Sequence, residues 1–409
     1  MDDSRLDRLQ ELVTHAYDQV PFYRRRFDRA GVRPADIRSL ADIHRLPVIE
    51  KRDLADAGAE RITAVAHATA ELVSTMTSGY SGEPLVIRRT PGEQARWARS
   101  WLADLLRAGL RRNDRIASVF FPRPGHPDGV GTLSGLELVR ETHVDCTLEP
   151  AEILAALREE RPTFLRGLAG VVDRVASSMS GDDRAVIHPR VVWVSGEVLT
   201  ASARRRIETA FGARVHNAYG THEVGLLASD CRATGLMHLG RSDLIVELVP
   251  PAGSAAEGAR EIVVTALNFL AAPFIRYRLS DAVTPGPDAC PCGASLPTLA
   301  GIEGRTIDYL ELPDGRAIHP YRILGPTIRA APRVRQYQLL QEAPDRIVLQ
   351  LAPRNSLADD ERRRLVEAVT PVLGGGVGFR IDIVPRIAGG ASGKSRPVVS
   401  LVEGPFGAA

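Results

Sequence analysis

Val191-Val192-Trp193-Val194 reads as a buried strand, Ala201–Phe211 carries a helical pattern, and Arg214-Val215-His216 resumes strand character just before Asn217-Ala218-Tyr219-Gly220-Thr221-His222-Glu223. An apolar run, a helix and a second run make a βαβ unit. Such a unit aligns its strands in parallel and presents its chemistry at their carboxyl ends. Outward from it the same alternation continues. Leu85-Val86-Ile87 and Ile116-Ala117-Ser118-Val119-Phe120 read as further strands, with helical patterns over 94–106 and 151–158. This predicts an α/β fold: a large N-terminal α/β domain with parallel-rich sheets. Ahead of it, Leu6, Leu9, Leu12, Val13 and Ala16 recur at helical spacing and predict an amphipathic first helix ending before Val20-Pro21.

The texture changes past Gly304. Tyr309-Leu310-Glu311-Leu312 and Ala317-Ile318 flank Pro313-Asp314-Gly315, a hairpin signal, and strands over 346–351 and 379–384 bracket a helix over 359–373. A terminal strand is expected over 398–402. The predicted division is therefore 1–303 for the N-terminal domain and 304–409 for a small mobile C-terminal α+β lid. The Ala/Gly-rich stretch 250–258 reads as a surface hairpin connection.

The 409 residues carry 52 basic and 50 acidic side chains, a net charge of +2 and 44% apolar content. No basic field for nucleic acid or for an anionic membrane is indicated, and no apolar stretch of about 20 residues exists. The polar N-terminus does not resemble a signal peptide, so a cytoplasmic protein is expected. Four cysteines do not make a disulfide framework in so long a chain. Three of them, Cys231, Cys290 and Cys292, combine with His238 into a Cys₃His set suited to tetrahedral zinc, the alternative being reduced buried thiols. Cys146, outside the set, reads as a core thiol, and Trp193 and Phe164 as core side chains.

Several stretches carry candidate chemistry. Met76-Thr77-Ser78-Gly79-Tyr80-Ser81-Gly82-Glu83-Pro84 lies between two strand-like runs and offers hydroxyl and backbone donors to a phosphate chain, or is a plain Ser/Gly hairpin. Glu223, beside Tyr219, Gly220, Thr221 and His222 at a strand end, can hold Mg²⁺ against phosphate oxygens. Asp281 closes Tyr277-Arg278-Leu279-Ser280-Asp281 and can accept both hydroxyls of a ribose, or serve as a turn residue. Phe120-Phe121-Pro122-Arg123-Pro124-Gly125-His126 either lines an acyl pocket, with His126 orienting a carboxylate, or is a Pro-rich surface loop. Lys394 is one of two lysines in the chain and sits in Gly389-Gly390-Ala391-Ser392-Gly393-Lys394-Ser395. A P-loop would need Gly at position 388, where Ala388 stands, and a helix after the Ser, where Pro397 and an apolar strand follow.

Thr77 to Pro84, Tyr219 to Glu223, Tyr277 to Asp281 and the terminal Gly393-Lys394 stand in the order and approximate spacing of the adenylate-forming enzymes, the superfamily of acyl-CoA synthetases and adenylation domains. Val20-Pro21-Phe22-Tyr23, Leu46-Pro47, Ser195-Gly196-Glu197 and Gly304-Arg305 resemble the phenylacetate-CoA ligase branch in particular. The resemblance implies that Thr77, Ser78, Gly79 and Ser81 contact the triphosphate and that Glu223 holds Mg²⁺. It further implies that Gly196 and Glu197 line the adenine pocket, with Tyr219, Gly220, Thr221 and His222 at the nucleotide, Asp281 on the ribose and Arg305 assisting at the nucleotide while marking the hinge. Phe121, His126, Ala218 and Tyr219 are its substrate-pocket candidates. Lys394 would bridge the substrate carboxylate and the α-phosphate, where a mobile cation offsets the approach of two anions.

The chain departs from the family pattern at Glu83, where many relatives carry Lys, at His222, where Thr or Ser is usual, and at Ile307, where an acidic hinge residue is usual. The expected activity is ATP-dependent activation of a carboxylic acid, aromatic or arylacetic, to an acyl-adenylate with release of pyrophosphate, followed by transfer to CoA. ATP, Mg²⁺, structural Zn²⁺ and CoA are the implied ligands. An amine or carrier-protein thiol as acceptor, a non-carboxylate oxyanion as substrate, a P-loop-type NTPase and a silent nucleotide-binding protein are the alternatives. A homodimer is compatible with the sequence.

Overall fold

The computed structural model describes residues 2–67, 71–76, 85–121, 139–250, 260–303, 310–318, 320, 322–324, 327, 334–353, 357–387 and 398–402. Two helices open the chain, α1 (Asp2–Gln19) and α2 (Pro21–Ala30). The sequence reading ended its first helix before Val20, as observed, but placed no second helix after it. Pro21 instead occupies the first turn of α2, where a missing N–H costs nothing. Two short helices, α3 (Lys51–Ala57) and α4 (Ala59–Ile62), lead to a separate antiparallel hairpin of β1 (Val73–Met76) and β2 (Val86–Arg89).

The long helix α5 (Pro91–Ala108) begins at a capping box in which Thr90 accepts from the Glu93 N–H and Glu93 accepts from the Thr90 N–H. It ends at Gly109 in the left-handed region. There follow β3 (Arg115–Phe120), β4 (Arg140–Asp145), α6 (Pro150–Glu160), β5 (Phe164–Leu168), α7 (Ala169–Ser178), α8 (Gly181–Val186), β6 (Val191–Ser195), α9 (Ala201–Phe211) and β7 (Arg214–Thr221). The next elements are β8 (Gly225–Asp230), β9 (Met237–Leu239), β10 (Leu244–Val249), β11 (Arg260–Ala266), β12 (Tyr277–Pro285) and β13 (Thr298–Glu303).

All the strands from β3 to β13 join one 11-stranded sheet in the order β10-β11-β12-β13-β9-β8-β7-β6-β5-β3-β4. Its half from β7 to β4 is parallel, and β5 and β6 are buried residue for residue, as a sheet covered on both faces requires. From β7 onward each pairing is antiparallel. One face of the parallel half packs against α6, α7 and α9 through Val119, Leu165, Val172, Val194 and Ile207. The other meets α5 through Leu105, Ile116, Phe164, Trp193 and Ala218. Phe164, Trp193 and Cys146 are buried, as the sequence reading had them.

The chain leaves β3 for the edge strand β4, returns across β3 to β5 and proceeds the other way to β6 and β7. The carboxyl ends of β3 and β5 are thus the topological switch point of the parallel half, the place where open α/β sheets bind ligands.

Helices α1 and α2 pack on the antiparallel half, with Leu9, Leu12, Phe22, Tyr23 and Phe27 in one core with Ile262, Val264, Phe274 and Tyr277. Arg276, one of three non-glycine residues with positive φ (46°) among the described residues, is held there by Glu247 and by the carbonyls of His44 and Leu46.

A second, four-stranded sheet follows in the order β18-β17-β16-β19, preceded by the hairpin β14 (Leu310–Glu311) and β15 (Ala317–Ile318). Its strands are β16 (Val334–Ala343), β17 (Arg346–Pro353), β18 (Gly378–Ile383) and β19 (Val398–Ser400), and the helix Asp359–Leu373 supplies Leu365, Val369 and Leu373 to their shared core. The hairpin falls where Pro313-Asp314-Gly315 predicted it. The expected connection over 250–258 lies, beyond Pro250, outside the described residues, between the paired strands β10 and β11.

Candidate active site

Strand β7 ends in the residues that the sequence singled out. A turn of His222, Glu223 and Val224 carries the chain into β8. Gly220 has no alternative there, because a Cβ would stand 2.5 Å from the Gly225 carbonyl oxygen and 2.7 Å from the Trp101 ring. The turn faces β12 through two crossed pairs. The Tyr219 hydroxyl donates to Asp281 Oδ2 (2.7 Å), and the Tyr277 hydroxyl donates to Glu223 Oε1 (3.2 Å). Burial, and then the neighbouring carboxylates, push both phenols well above their usual range, so at neutral pH they act only as donors.

Arg89 holds this turn from behind. It lies on β2, one residue before the helix cap, and is 2% exposed. Its guanidinium donates to the His222 carbonyl and, at 3.0 Å, to the Glu223 carbonyl, while the Trp97 and Phe269 rings lie 5.5 and 5.3 Å from it. Burial pulls the Arg89 pKa down to about 10 against the opposing pull of Glu223 and Glu93, so the group stays a cation. Glu93 in turn accepts from the backbone N–H groups of Leu270 (2.6 Å) and Ala271 (3.0 Å). The His222 ring stacks on Trp97 at 6.0 Å. Sequence reasoning passed over Arg89. The signal was the alternation along β2, where Ile87 and Arg89 are buried and Val86 is exposed.

The remaining candidates are dispersed around this centre. Gly196 turns out of β6 at φ 81°, and a Cβ there would meet Leu168 at 2.9 Å. The Glu197 carboxylate accepts from the Gly170 N–H (2.6 Å) in the first turn of α7, an N-terminal position that suits an anion. Ala218 is buried against the α5 side of the sheet. Phe121 is half-buried and packs against the core on the α6 and α7 side. Thr77, Ser78, Gly79, Ser81, His126, Arg305 and Lys394, and Ile307 of the hinge, lie outside the described residues. The first four fall between the paired strands β1 and β2.

The Cys₃His set converges. Cys231 follows β8, His238 lies in β9, and Cys290 and Cys292 lie between β12 and β13; their ligand atoms all stand within 4.8 Å of one another. Cys231 and Cys290 sulfurs are 3.7 Å apart, and Cys292 sulfur is 3.4 Å from His238 Nε2. A tetrahedral zinc with ordinary bond lengths needs separations of about 3.5–3.8 Å, so the residues fit the ion. The Cys231 thiol is drawn down to about 7, first by the Thr234 hydroxyl.

No family model matches the chain. Phenylacetate-coenzyme A ligase of Thermus thermophilus is 26% identical over 346 residues, covering 82% of this chain and 76% of that protein. The enzyme of the same name from Escherichia coli K12 is 28% identical over 313 residues, 74% and 70% of the two chains. Among solved structures, 2-hydroxyisobutyryl-CoA ligase in complex with 2-HIB-AMP and CoA superposes with a TM-score of 0.66 at 22% identity. It covers 98% of this chain and 89% of that one, a likeness of fold. With the motifs of the β7 turn and of β12 brought together, the chain resembles the phenylacetate-CoA ligases, a branch of the adenylate-forming superfamily, in sequence over most of its length.

Proposed function

We propose that the protein is an ATP-dependent, AMP-forming acid–CoA ligase. It converts a carboxylic acid, aromatic or arylacetic, to its acyl-adenylate with release of pyrophosphate, and passes the acyl group to the thiol of CoA. The observation that carries this reading is the crossed pairing of Tyr219 with Asp281 and Tyr277 with Glu223. It holds Asp281 of β12 against the end of β7 and Glu223 of the following turn against β12, in a chain resembling phenylacetate-coenzyme A ligases over most of its length.

In this reading Asp281 accepts from the ribose hydroxyls and Glu223 holds Mg²⁺, which supplies charge neutralisation at the phosphates. Arg89 fixes the Glu223 backbone. The 77–84 segment, Gly196 and Glu197 contact the nucleotide. Residues 304–409 form a lid that brings Lys394 to the reacting carboxylate, with Arg305 at its hinge. Cys231, His238, Cys290 and Cys292 hold a structural zinc with no open coordination position.

The test is pyrophosphate release over a panel of carboxylic acids, with and without CoA, for the parent and Lys394→Ala. The variant is expected to lose acid-dependent release by about 10²-fold or more while still binding ATP. Near-parental release would remove Lys394 from its assigned role. Adenylation without thioester formation would point to another acceptor, the outcome that the Ile307 hinge raises.

A further inference from the structure

The parallel half of the sheet carries a row of polar side chains where such sheets are ordinarily apolar. In register across five strands stand His143 (β4), Ser118 (β3), Arg166 (β5), Trp193 (β6) and His216 (β7). Arg166 is 3% exposed and bonds to Ser118 through Nε and to Glu141 through a terminal nitrogen, while the Ser118 hydroxyl donates to the same Glu141 oxygen. The Phe120 ring lies 5.7 Å from the Arg166 guanidinium. On the other side Trp193 and His216 both bond to buried Asp104. Glu141 Oε2 is buried and meets no hydrogen-bond donor among the described residues.

A buried Arg–Glu pair is a poor device for stability, since apolar residues of similar volume commonly serve as well or better. An acceptor left without a donor adds a further cost, which a bound donor would remove. The location supplies the reason. The row lies one step below the switch point, where the β3–β5 pairing ends at Val119 and Gly167, and the next residues on its face are Phe120, Ser195 and Ala218. Phe120, Ser195 and Ala218 thus stand between the polar row and the carboxyl ends of the strands, the end at which such sheets bind ligands.

Resting on the acid-activation reading above, we propose that Glu141, supported by Arg166 and Ser118, is the specificity-determining group of the acyl pocket and selects an aryl acid whose ring carries a neutral hydrogen-bond donor such as a hydroxyl. The Arg166 cation already balances the Glu141 anion, so a neutral donor is matched and a second carboxylate is not. A site built to receive a donor discriminates strongly against the analogue that lacks it.

The experiment is ATP–pyrophosphate exchange with matched acids, phenylacetic against 4-hydroxyphenylacetic and benzoic against 3- and 4-hydroxybenzoic. It is run on the parent, on Arg166→Met/Glu141→Met and on the milder Ser118→Ala, with melting curves to confirm folding. The parent is expected to favour a hydroxylated acid in kcat/KM by about tenfold or more. The double variant should bring that ratio to about one or below with the KM for ATP unmoved, and Ser118→Ala should lower it severalfold. A parental ratio near one, or a ratio unchanged in folded variants, overturns the selection while leaving acid activation standing. Absence of exchange with every acid overturns the acid-activation reading and this inference together.

Discussion

Arg89 shows how much of this site depends on a side chain that touches no reacting atom. Its forked guanidinium serves two carbonyls of one turn, His222 and Glu223, from a buried position between two aromatic rings. A lysine keeps the charge but offers no planar fork. Arg89→Lys is therefore expected to raise the KM for Mg·ATP and lower kcat/KM in pyrophosphate exchange by about tenfold. Arg89→Met should in addition cost about 2–4 kcal/mol of stability in denaturant melts, through carbonyls left without donors. Parental KM and stability in both variants would reduce Arg89 to a bystander. At this scale the sequence was legible where motif and chemistry coincide, at Tyr219, Glu223 and Asp281. It was opaque at Arg89, Arg166 and Glu141, because a charged residue is read by default as solvated. Only the pairing of strands shows that these three face inward.

Among the elements, those built on unbroken apolar runs or complete caps were readable. Strand β6 and helix α9 lie where the pattern put them, and α5 extends the expected 94–106 by a capped turn at its start. Strand β5 was missed because Arg166 and Gly167 interrupt Phe164-Leu165. Strand β16 was missed because Val-Arg-Gln-Tyr-Gln hides a buried strand whose Gln336 and Gln341 amides bond to neighbouring backbone. The antiparallel half depends on pairings far apart in sequence, such as His238 with Thr298, that no local pattern encodes. The Cys₃His corner ties two of these connections, after β8 and after β12. Purified protein is expected to hold about one zinc per chain, and stripping it, or Cys292→Ser, should lower the melting temperature by several degrees. Metal analysis without stoichiometric zinc, or a melt indifferent to chelation, would argue against the assignment.

For the whole molecule, the cores divide cleanly among the described residues. The apolar cluster built from Leu310, Leu339, Leu349, Leu365 and Ile381 contains no residue of the 11-stranded sheet. Calorimetry of the full chain should accordingly resolve two transitions, and a chain ended after Glu303 should keep the larger one while losing acid-dependent turnover. A single two-state melt, or a truncated chain that does not fold, would mean that the two sheets are one cooperative unit.

The crossed tyrosine–carboxylate pairs also set the shape of the large sheet. Strands β7 and β12 are four places apart in its hydrogen-bonding order, about 19 Å in a flat sheet, yet their side chains meet at 2.7 Å. The antiparallel half must therefore curl into a hoop fastened by Tyr219 and Asp281. A hoop passes slack around its whole circumference. Loosening it at any strand, including the corner where the three cysteines and His238 gather, reaches both Glu223 and Asp281, so the two carboxylates stand or fall together.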